Sequence, residues 1–485
     1  MRGYMATMIA ACALWASHAS ARPEADVLAA DVARSELTTL YAQLDAAHYD
    51  LFAHRPRRDY ERFLADLNAS ITAPVSRQDF AILAQRLAAY GRVGHARVDA
   101  PLQGAVARLG QGGRFVPLFV RIDDGHVLLT AAADAQGRFR AGDELIALNG
   151  VAARDWADRL ANYVSSERPR MTHALMEESF PLLLGFALGD VASVSVVVRK
   201  PSGETVQGVV EAITLAQRAQ LRQAFPTPKV TTDFSTRAFE ILPGGVGYLR
   251  PGPFGERAPK AGGDPNYDSR AFIAFIDEAF GRFLASGTQD LIIDLRNNPG
   301  GDNSFSDRMV AWFADRPFRF ASSFRLKASP QTKAWYRARA DQVATDPGLA
   351  GLASAEAAQP DGARYDYALP MVAPRAEPRF HGRVHVLVNR HSYSNAASTA
   401  ALIQDYGFGQ VLGEETADVP TTYASVLTFA LPASGVVVTY PKSRIVRPNG
   451  DESLLGVVPD VVLPREPLGE TRDVVLDSAI ARVRR

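Results

Sequence analysis

Cysteine is almost absent from this chain, because Cys12 is the only one in 485 residues. Residues 1–21 are typical of a cleaved signal peptide, so the mature chain is expected to contain no cysteine. Disulfides, a thiolate nucleophile and a cysteine-ligated metal are thereby excluded from the mature chain. Hydrophobic cores alone must hold such a chain together, and its length predicts more than one domain.

An excess of either charge is also missing. Lys plus Arg and Asp plus Glu both number 53, so the net charge is zero. This balance gives no electrostatic reason to expect nucleic acid or an anionic membrane surface as a partner. After the N-terminal segment no apolar run approaches about 18 residues, and we expect no membrane span. Nothing in the sequence indicates an oligomeric state.

Motifs for metals and nucleotides are absent as well. The sequence contains no HExxH, no cluster of Cys and His, and no paired carboxylates at metal-ligand spacing. No Walker or GxGxxG segment follows a strand pattern. We therefore expect neither a metal site nor a nucleotide cofactor.

The N-terminal segment has the three parts of a signal peptide. Arg2 supplies the positive start, an apolar core follows, and Ala19-Ser20-Ala21 fits the small-residue cleavage pattern. Cleavage after Ala21 and a periplasmic or secreted protein are predicted. Two alternatives stay open: a buried N-terminal helix, and a lipoprotein whose cleavage box is Ile9-Ala10-Ala11-Cys12.

Hydrophobic periodicity predicts a multidomain α+β protein. The expected units are a helical N-terminal domain (22–100), a β-rich domain (101–228), an α/β core (229–465) and a C-terminal helix (466–485). In the core, strand and helix patterns alternate, which indicates a mainly parallel sheet covered by helices. Residues 319–378 interrupt the core and form either a covering lid or a loose surface segment.

The β-rich region carries a hairpin-like signature. Gly142-Asp143, a short strand pattern and Asn149-Gly150 follow one another in FRAGDELIALNG. This segment resembles the corresponding stretch of PDZ domains. The resemblance implies a PDZ-like domain, a module that adds an extended peptide to a sheet edge. The alternative is a β-rich linker domain that binds nothing.

Two strand ends in the core carry candidate chemistry, because sites in open α/β sheets form at the carboxyl ends of strands. After residues 291–295 the chain turns on Gly300 and Gly301, whose N–H groups can face a developing negative charge. After residues 384–388, Ser394 stands at the start of a helix pattern. From the local sequence alone, the Gly300-Gly301 segment favours a tight turn without a ligand. Ser394 by the same measure favours a serine that caps the helix.

Four motifs in order resemble the C-terminal processing peptidases and the catalytic core of tricorn protease. They are the DLRNNPGG turn (294–301), SYSNA (392–396) with QDYG (404–407), GEET (413–416) and GVVPD (456–460). The resemblance covers residues 100–465. It implies a ClpP/crotonase-like α/β core, Ser394 as the nucleophile, and an oxyanion hole formed by Gly300, Gly301 and the N–H of Asn395. Peptides or unfolded proteins are the implied substrates.

The base that activates Ser394 is the point where this chain departs from the processing peptidases. Their lysine would stand at Val419, and Lys442 is expected to be a solvated surface residue. The tricorn branch uses an upstream histidine instead, and His95 in VGHARV matches it. His391 ranks second as the base.

A carboxylate that orients the histidine is expected shortly before the closing GVVPD motif. Glu452 is preferred, and Asp451 is the neighbouring candidate. The alternative for both is a pair of solvated turn residues after Asn449-Gly450. The sequence thus favours an exported serine endopeptidase that acts through an acyl-enzyme. A non-hydrolytic peptide- or ligand-binding protein of the same fold, and an esterase using the same serine, are the alternatives.

Overall fold

A computed structural model describes residues 27–132, 137–224, 236–256, 268–470 and 472–484. The predicted signal peptide and Cys12 lie outside these residues. Four sheets and five larger hydrophobic clusters organise the described chain, and the two largest clusters surround the core sheet and the N-terminal helices. A mixed α/β multidomain fold, as predicted, is confirmed. No described helix combines the length and the apolar composition that crossing a membrane requires.

The N-terminal region is helical. Its elements are β1 (Val27–Leu28), α1 (Ala30–Ala47), α2 (Arg57–Ser70), β2 (Val75–Ser76), α3 (Arg77–Tyr90) and α4 (Ala100–Gly110). Leu37, Leu40 and Leu44 recur on one face of α1 and are fully buried. Ser76 caps α3 by accepting a hydrogen bond from the N–H of Asp79. The loop between α3 and α4 carries His95.

The second region consists mainly of an antiparallel sheet and helices. The strands are β3 (Leu118–Asp123), β4 (His126–Ala132), β5 (Glu144–Leu148), β6 (Val151–Ala152), β7 (Ser193–Arg199) and β8 (Thr205–Glu211), and the helices are α5 (Ala153–Leu160), α6 (Pro169–Leu188) and α7 (Leu215–Ala224). The sheet order is β3-β4-β5-β7-β8, with β6 paired to β5. Asn149 and Gly150 both have positive φ, as the predicted hairpin turn requires. The long helix α6 was not predicted.

The core is a six-stranded sheet in the order β18-β15-β14-β11-β10-β9. Its strands are β9 (Ala238–Leu242), β10 (Val246–Arg250), β11 (Asp290–Asp294), β14 (Arg383–Val388), β15 (Gln410–Gly413) and β18 (Val461–Val462). All neighbouring pairs are parallel except β9 with β10. Its helices are α8 (Arg270–Ala285), α9 (Asn303–Val310), α13 (Asn395–Tyr406) and the C-terminal α14 (Val474–Val483).

A second, antiparallel sheet contains the insertion at residues 319–378. Its order is β13-β12-β17-β16, where β12 (Ser323–Lys327) and β13 (Arg364–Asp366) come from the insertion. Strand β12 pairs with β17 (Val437–Val446), which in turn pairs with β16 (Thr422–Ala430). The insertion also supplies α10 (Pro330–Arg337), α11 (Ala340–Thr345) and α12 (Pro347–Ala357). Because β12 lies inside this sheet, the insertion is an integral part of the fold and not a loose segment.

Candidate active site

The site forms where two adjacent parallel strands of the core sheet end. Asp294 at the end of β11 pairs with Leu387 near the end of β14, so the segments after both strands emerge side by side. A Cβ on Gly300 would lie 2.8 Å from the Cβ of Ser394 and 2.6 Å from the backbone N of Asn395. Only a glycine permits this approach, since Gly300 also has a φ of +87°.

Ser394 is held in a strained backbone conformation. Its φ is 53° and its ψ is −124°, in a region that non-glycine residues rarely adopt. Although Ser394 precedes α13, its side chain makes no capping hydrogen bond. Four alanines of α13 are fully buried and let the helix pack closely behind the serine: Ala396, Ala397, Ala400 and Ala401. The hydroxyl is therefore free for another partner, which the local capping interpretation did not anticipate.

That partner is His95. Its Nε2 lies 3.1 Å from the Oγ of Ser394, although 299 positions separate the two residues. The imidazole stacks on the ring of Tyr393, with centroids 5.4 Å apart and an interplanar angle of 26°. Just beyond His95, Arg97 exchanges two main-chain hydrogen bonds with Thr439 of β17. Stacking and this anchor hold the histidine loop against the serine.

The electrostatic environment keeps His95 neutral. Burial lowers the pKa of His95 to about 3, and the charge of Arg97 acts in the same direction. The main chain of Tyr423 raises that pKa slightly. Nδ1 of His95 has no hydrogen-bond partner within the described ranges. A neutral imidazole at hydrogen-bond distance from a hydroxyl is the form that a general base requires.

Two buried carboxyl groups contact the backbone beside Ser394 and His95, and neither was predicted from the sequence. Asp418 accepts hydrogen bonds from the backbone N–H groups of Ser394 and Val419. Glu167 accepts a hydrogen bond from the N–H of Gly94, 3.0 Å away, beside His95. Asp418 thus holds the strained serine backbone, and Glu167 holds the histidine loop.

Burial changes the protonation of both carboxyl groups. It raises the pKa of Asp418 to about 6, although the two N–H donors oppose the change. Burial, followed by the nearby charge of Asp418, raises the pKa of Glu167 to about 8. Glu167 is therefore a neutral acid at pH 7, while Asp418 is ionised. In the sequence, Asp418 directly precedes Val419, where the resemblance to the processing peptidases places their lysine. This neighbouring position was the one sequence signal that pointed to Asp418.

The N–H groups near Ser394 differ in their availability to a substrate. The N–H of Gly300 donates to the Oδ1 of Asn298, 2.9 Å away. In the described part of the chain, the N–H groups of Gly301 and Asn395 donate to no acceptor. Gly301 has a φ of +135°, and a Cβ there would lie 2.0 Å from the carbonyl oxygen of Phe254. The expected oxyanion set is thereby reduced to Gly301 and Asn395.

The predicted carboxylate partner does not reach the histidine. Glu452 is 58% exposed and its Oε2 lies 2.6 Å from a guanidinium nitrogen of Arg444. Asp451 is exposed and accepts hydrogen bonds from the backbone and hydroxyl of Ser453. Both residues occupy a solvated turn, which was the alternative interpretation. The assignment of Glu452 or Asp451 to the imidazole is corrected accordingly.

His391, the second candidate base, is also placed away from the serine. Its ring lies 3.2 Å from Glu177 and 3.3 Å from Glu178 of α6. Burial alone would lower its pKa, but hydrogen bonds to these carboxylates raise the pKa to about 10. A histidine that stays protonated at neutral pH cannot accept the proton of Ser394, so His391 is excluded as the base.

Arginines tie the second region to the core beside the site. Arg390, four residues before Ser394, contacts Glu177, Asp123 and Glu414. Arg168 and Arg170, at the start of α6, pair with Glu415 and Glu414. These are buried or half-buried pairs, and breaking one of them leaves an uncompensated charge. The network fixes the segment that leads into Ser394.

A cleft of about 1250 Å³ opens over the serine. Ser394, His95 and Gly301 lie on its wall, and so do residues of β16 and of the insertion. Lys442 lies on the same wall and is only 3% exposed, which corrects the expectation of a solvated lysine. Val419, at the position of the processing-peptidase lysine, is 1% exposed. Within the described residues no group of histidines and carboxylates is arranged to hold a metal.

Comparisons with known proteins agree with this architecture. The model of "Peptidase family S41" matches residues 246–463, which hold five of the six strands of the core sheet, Ser394 and Asp418. No curated protein matches the chain.

Two solved structures of CPAF share the fold along most of the chain. Mature CPAF is 16% identical, with 94% of this chain and 96% of that chain covered at a TM-score of 0.60. CPAF complexed with lactacystin is 17% identical, with 94% and 97% covered at a TM-score of 0.59. The photosystem II D1 C-terminal processing protease is 18% identical, with 92% and 98% covered, and its TM-score is 0.43.

Proposed function

We propose that this chain is a serine-type peptidase of family S41, whose model matches residues 246–463, and that it hydrolyses peptide bonds through an acyl-enzyme on Ser394 with His95 as general base. The observation that carries the proposal is the 3.1 Å contact between the serine hydroxyl and a neutral, buried imidazole. A protein that only binds peptides has no need for this contact, nor for a strained serine at a helix start.

Acylation begins with the proton of Ser394. Nε2 of His95 accepts it while Oγ attacks the substrate carbonyl carbon, and the carbonyl oxygen becomes an oxyanion. The N–H groups of Gly301 and Asn395 are the donors we assign to that oxyanion. His95 then gives the proton to the leaving amine, the C–N bond breaks, and the acyl group stays on Ser394.

Deacylation repeats these transfers with water. His95 takes a proton from a water molecule as the water oxygen attacks the acyl carbon. It then returns that proton to Oγ of Ser394 as the acyl C–Oγ bond breaks and the carboxylic acid product leaves. The tautomer that accepts at Nε2 carries its proton on Nδ1. In this scheme Asp418 and Glu167 are positioning residues, since they contact Ser394 and Gly94 through N–H groups.

The finer features of the fold belong to the same proposal. We assign residues 101–228 to a PDZ-like domain that presents an extended substrate, and residues 229–465 to a ClpP/crotonase-like core. The helical domain would then span 22–100 and the C-terminal helix 466–485. The turn at Asn149-Gly150 and the antiparallel sheet around it support the PDZ-like assignment. Export after cleavage at Ala21 rests on the signal-peptide pattern.

Two variants test the proposal. Ser394→Ala and His95→Ala should each lower hydrolysis of an unfolded protein and of quenched fluorescent peptides by about 10³-fold, because each removes half of the nucleophile–base pair. Ser202→Ala and His126→Ala are matched controls in the second region, where both side chains are exposed. They should retain full activity.

A fluorophosphonate probe separates hydrolysis from binding. It should label wild type at Ser394, as mass spectrometry of the labelled peptide would show, and should not label Ser394→Ala. Full peptidase activity in Ser394→Ala would overturn the nucleophile assignment. Probe labelling with ester but no peptide hydrolysis would instead establish the esterase.

A further inference from the structure

Lys442 is a buried lysine on the wall of the catalytic cleft. It lies on β17, is 3% exposed, and has its Nζ 5.8 Å from the ring centroid of Phe324. The cleft wall around it is largely apolar and comes from the insertion. Six of these residues are Phe324, Trp335, Tyr336, Leu349, Leu352 and Leu369. An amine in such surroundings has lost most of its hydration.

The amine also lacks a partner for a hydrogen bond or an ion pair. Lys200 pairs with Asp143, Lys333 with Asp361, and Lys327 donates to two main-chain carbonyls. Of the lysines in the described ranges, only Lys442 makes no hydrogen bond and no ion pair. Burial lowers the pKa of Lys442 to about 8, so most of the population is still protonated at neutral pH.

The carboxyl group of Glu356, whose charge acts on Lys442, already has other hydrogen-bond partners. Glu356 raises the pKa of Lys442 through its charge without a direct contact. One oxygen of Glu356 accepts from the N–H of Ser329, 2.9 Å away, and the other from the hydroxyl of Tyr365, 2.8 Å away. A buried ammonium without a direct partner is costly, and an anionic group from a ligand removes that cost.

The strand β16 connects this lysine to the catalytic pair. Its residue Tyr423 faces His95 through the main chain. Ala424 pairs with Ser443 and Val426 with Pro441, which puts Ser425 opposite Lys442. Strands advance about 3.3 Å per residue, so the position of Lys442 lies about 7 Å along β16 from the contact with His95. An extended substrate covers this distance in two or three residues.

We propose that Lys442 forms a carboxylate-binding subsite of the cleft, which selects substrates with an anionic group a few residues from the cleaved bond. The subsite rests on the proposed function, because the substrate is a peptide held over Ser394. Two sources supply such a carboxylate: a Glu or Asp side chain, and a free C-terminus. The apolar wall accommodates the hydrocarbon part of the substrate residue that carries the carboxylate.

Binding to the inactive chain Ser394→Ala tests the subsite without relying on hydrolysis. The probes are fluorescent ten-residue peptides of Ala and Leu, amidated at the C-terminus, with one Glu or one Gln scanned through all positions. We expect at least one Glu peptide to bind ten-fold or more tightly than its Gln counterpart. Adding Lys442→Met should abolish that ratio, and adding Lys333→Met, the matched control on α10, should preserve it.

A second pair of probes identifies the source of the carboxylate. The Gln peptides are compared with a free carboxyl terminus and with an amide. A Lys442-dependent gain from the free terminus assigns the subsite to chain ends, and a gain from internal Glu assigns it to acidic side chains. Equal binding of charged and neutral peptides, or a ratio that survives Lys442→Met, overturns the subsite. If the wild-type protein hydrolyses no peptide, the proposed function is refuted. The binding ratios measured with Ser394→Ala can still be interpreted in that case.

Discussion

Glu167 offers a quantitative test of how the site is built. Its pKa is raised from an ordinary 4.5 to about 8 by burial and by Asp418. A carboxyl group with a higher pKa in the folded state keeps its proton there after the unfolded chain has lost it. Folding stability then falls as the pH rises through the window between about 4.5 and 8. Glu167→Gln is isosteric with the protonated acid and removes this dependence.

The size of the effect follows from the linkage. Within the window the folded state binds about one proton more than the unfolded state, which is worth about 1.4 kcal/mol per pH unit. From pH 5 to pH 7 the free energy of unfolding of Glu167→Gln should therefore gain about 2 to 3 kcal/mol relative to wild type. Buried groups that do not interact with Glu167 are common to both proteins, so their contributions cancel in the difference.

Urea unfolding followed by tryptophan fluorescence at pH 5, 6 and 7 measures this difference. Glu204→Gln, which removes an exposed carboxylate in a turn of the second region, is the matched control and should track the wild type. Glu167→Gln should also keep its peptidase activity at pH 7, since it preserves the acceptor for the N–H of Gly94. A stability difference that is the same at pH 5 and pH 7 would refute the reasoning, because it would mean that Glu167 is ionised in the fold.

Two further substitutions separate the candidate site residues. Glu452→Gln should leave kcat/KM within about two-fold of wild type, because an exposed ion pair contributes less than about 1 kcal/mol; a 100-fold loss would return Glu452 to the catalytic machinery. Gly301→Ala should lower kcat by about 10²-fold with the fold retained by circular dichroism, because the new Cβ meets the carbonyl of Phe254 and displaces an assigned oxyanion donor. Wild-type kinetics in Gly301→Ala would show that this turn takes no part in catalysis.

The sequence predicted the elements whose signals are local. The apolar runs 291–295 and 384–388, which precede Gly300-Gly301 and Ser394, marked two strand ends. Parallel pairing of β11 with β14 brings those ends together. The family resemblance is confirmed by the match over residues 246–463. Helix α6 was not predicted because its apolar residues surround much of the helix, and because Pro181 interrupts the helical pattern of the sequence.

Contacts that depend on tertiary packing could not be predicted. Gly94, Glu167 and Asp418 come from three distant segments, and no spacing in the chain relates them. Glu452 was predicted from its place shortly before the GVVPD motif, but its ion pair with Arg444 holds it in solvent. Lys442 was expected at the surface because lysines usually are, whereas the insertion packs over β17 and buries it.

With valine at position 419 and Glu452 in solvent, the carboxylate of Asp418 and the imidazole of His95 have other contacts. With valine at 419, the carboxylate of Asp418 has N–H groups as its partners and restrains the backbone of Ser394. No carboxylate bonds the Nδ1 of His95 in the described chain, and Asp418 is not among the groups that shift the pKa of His95. The imidazole is instead oriented by stacking on Tyr393 and by the anchor of Arg97 on β17. Orientation by packing, with a carboxylate on the serine backbone, therefore replaces the carboxylate–histidine contact of a Ser-His-Asp triad.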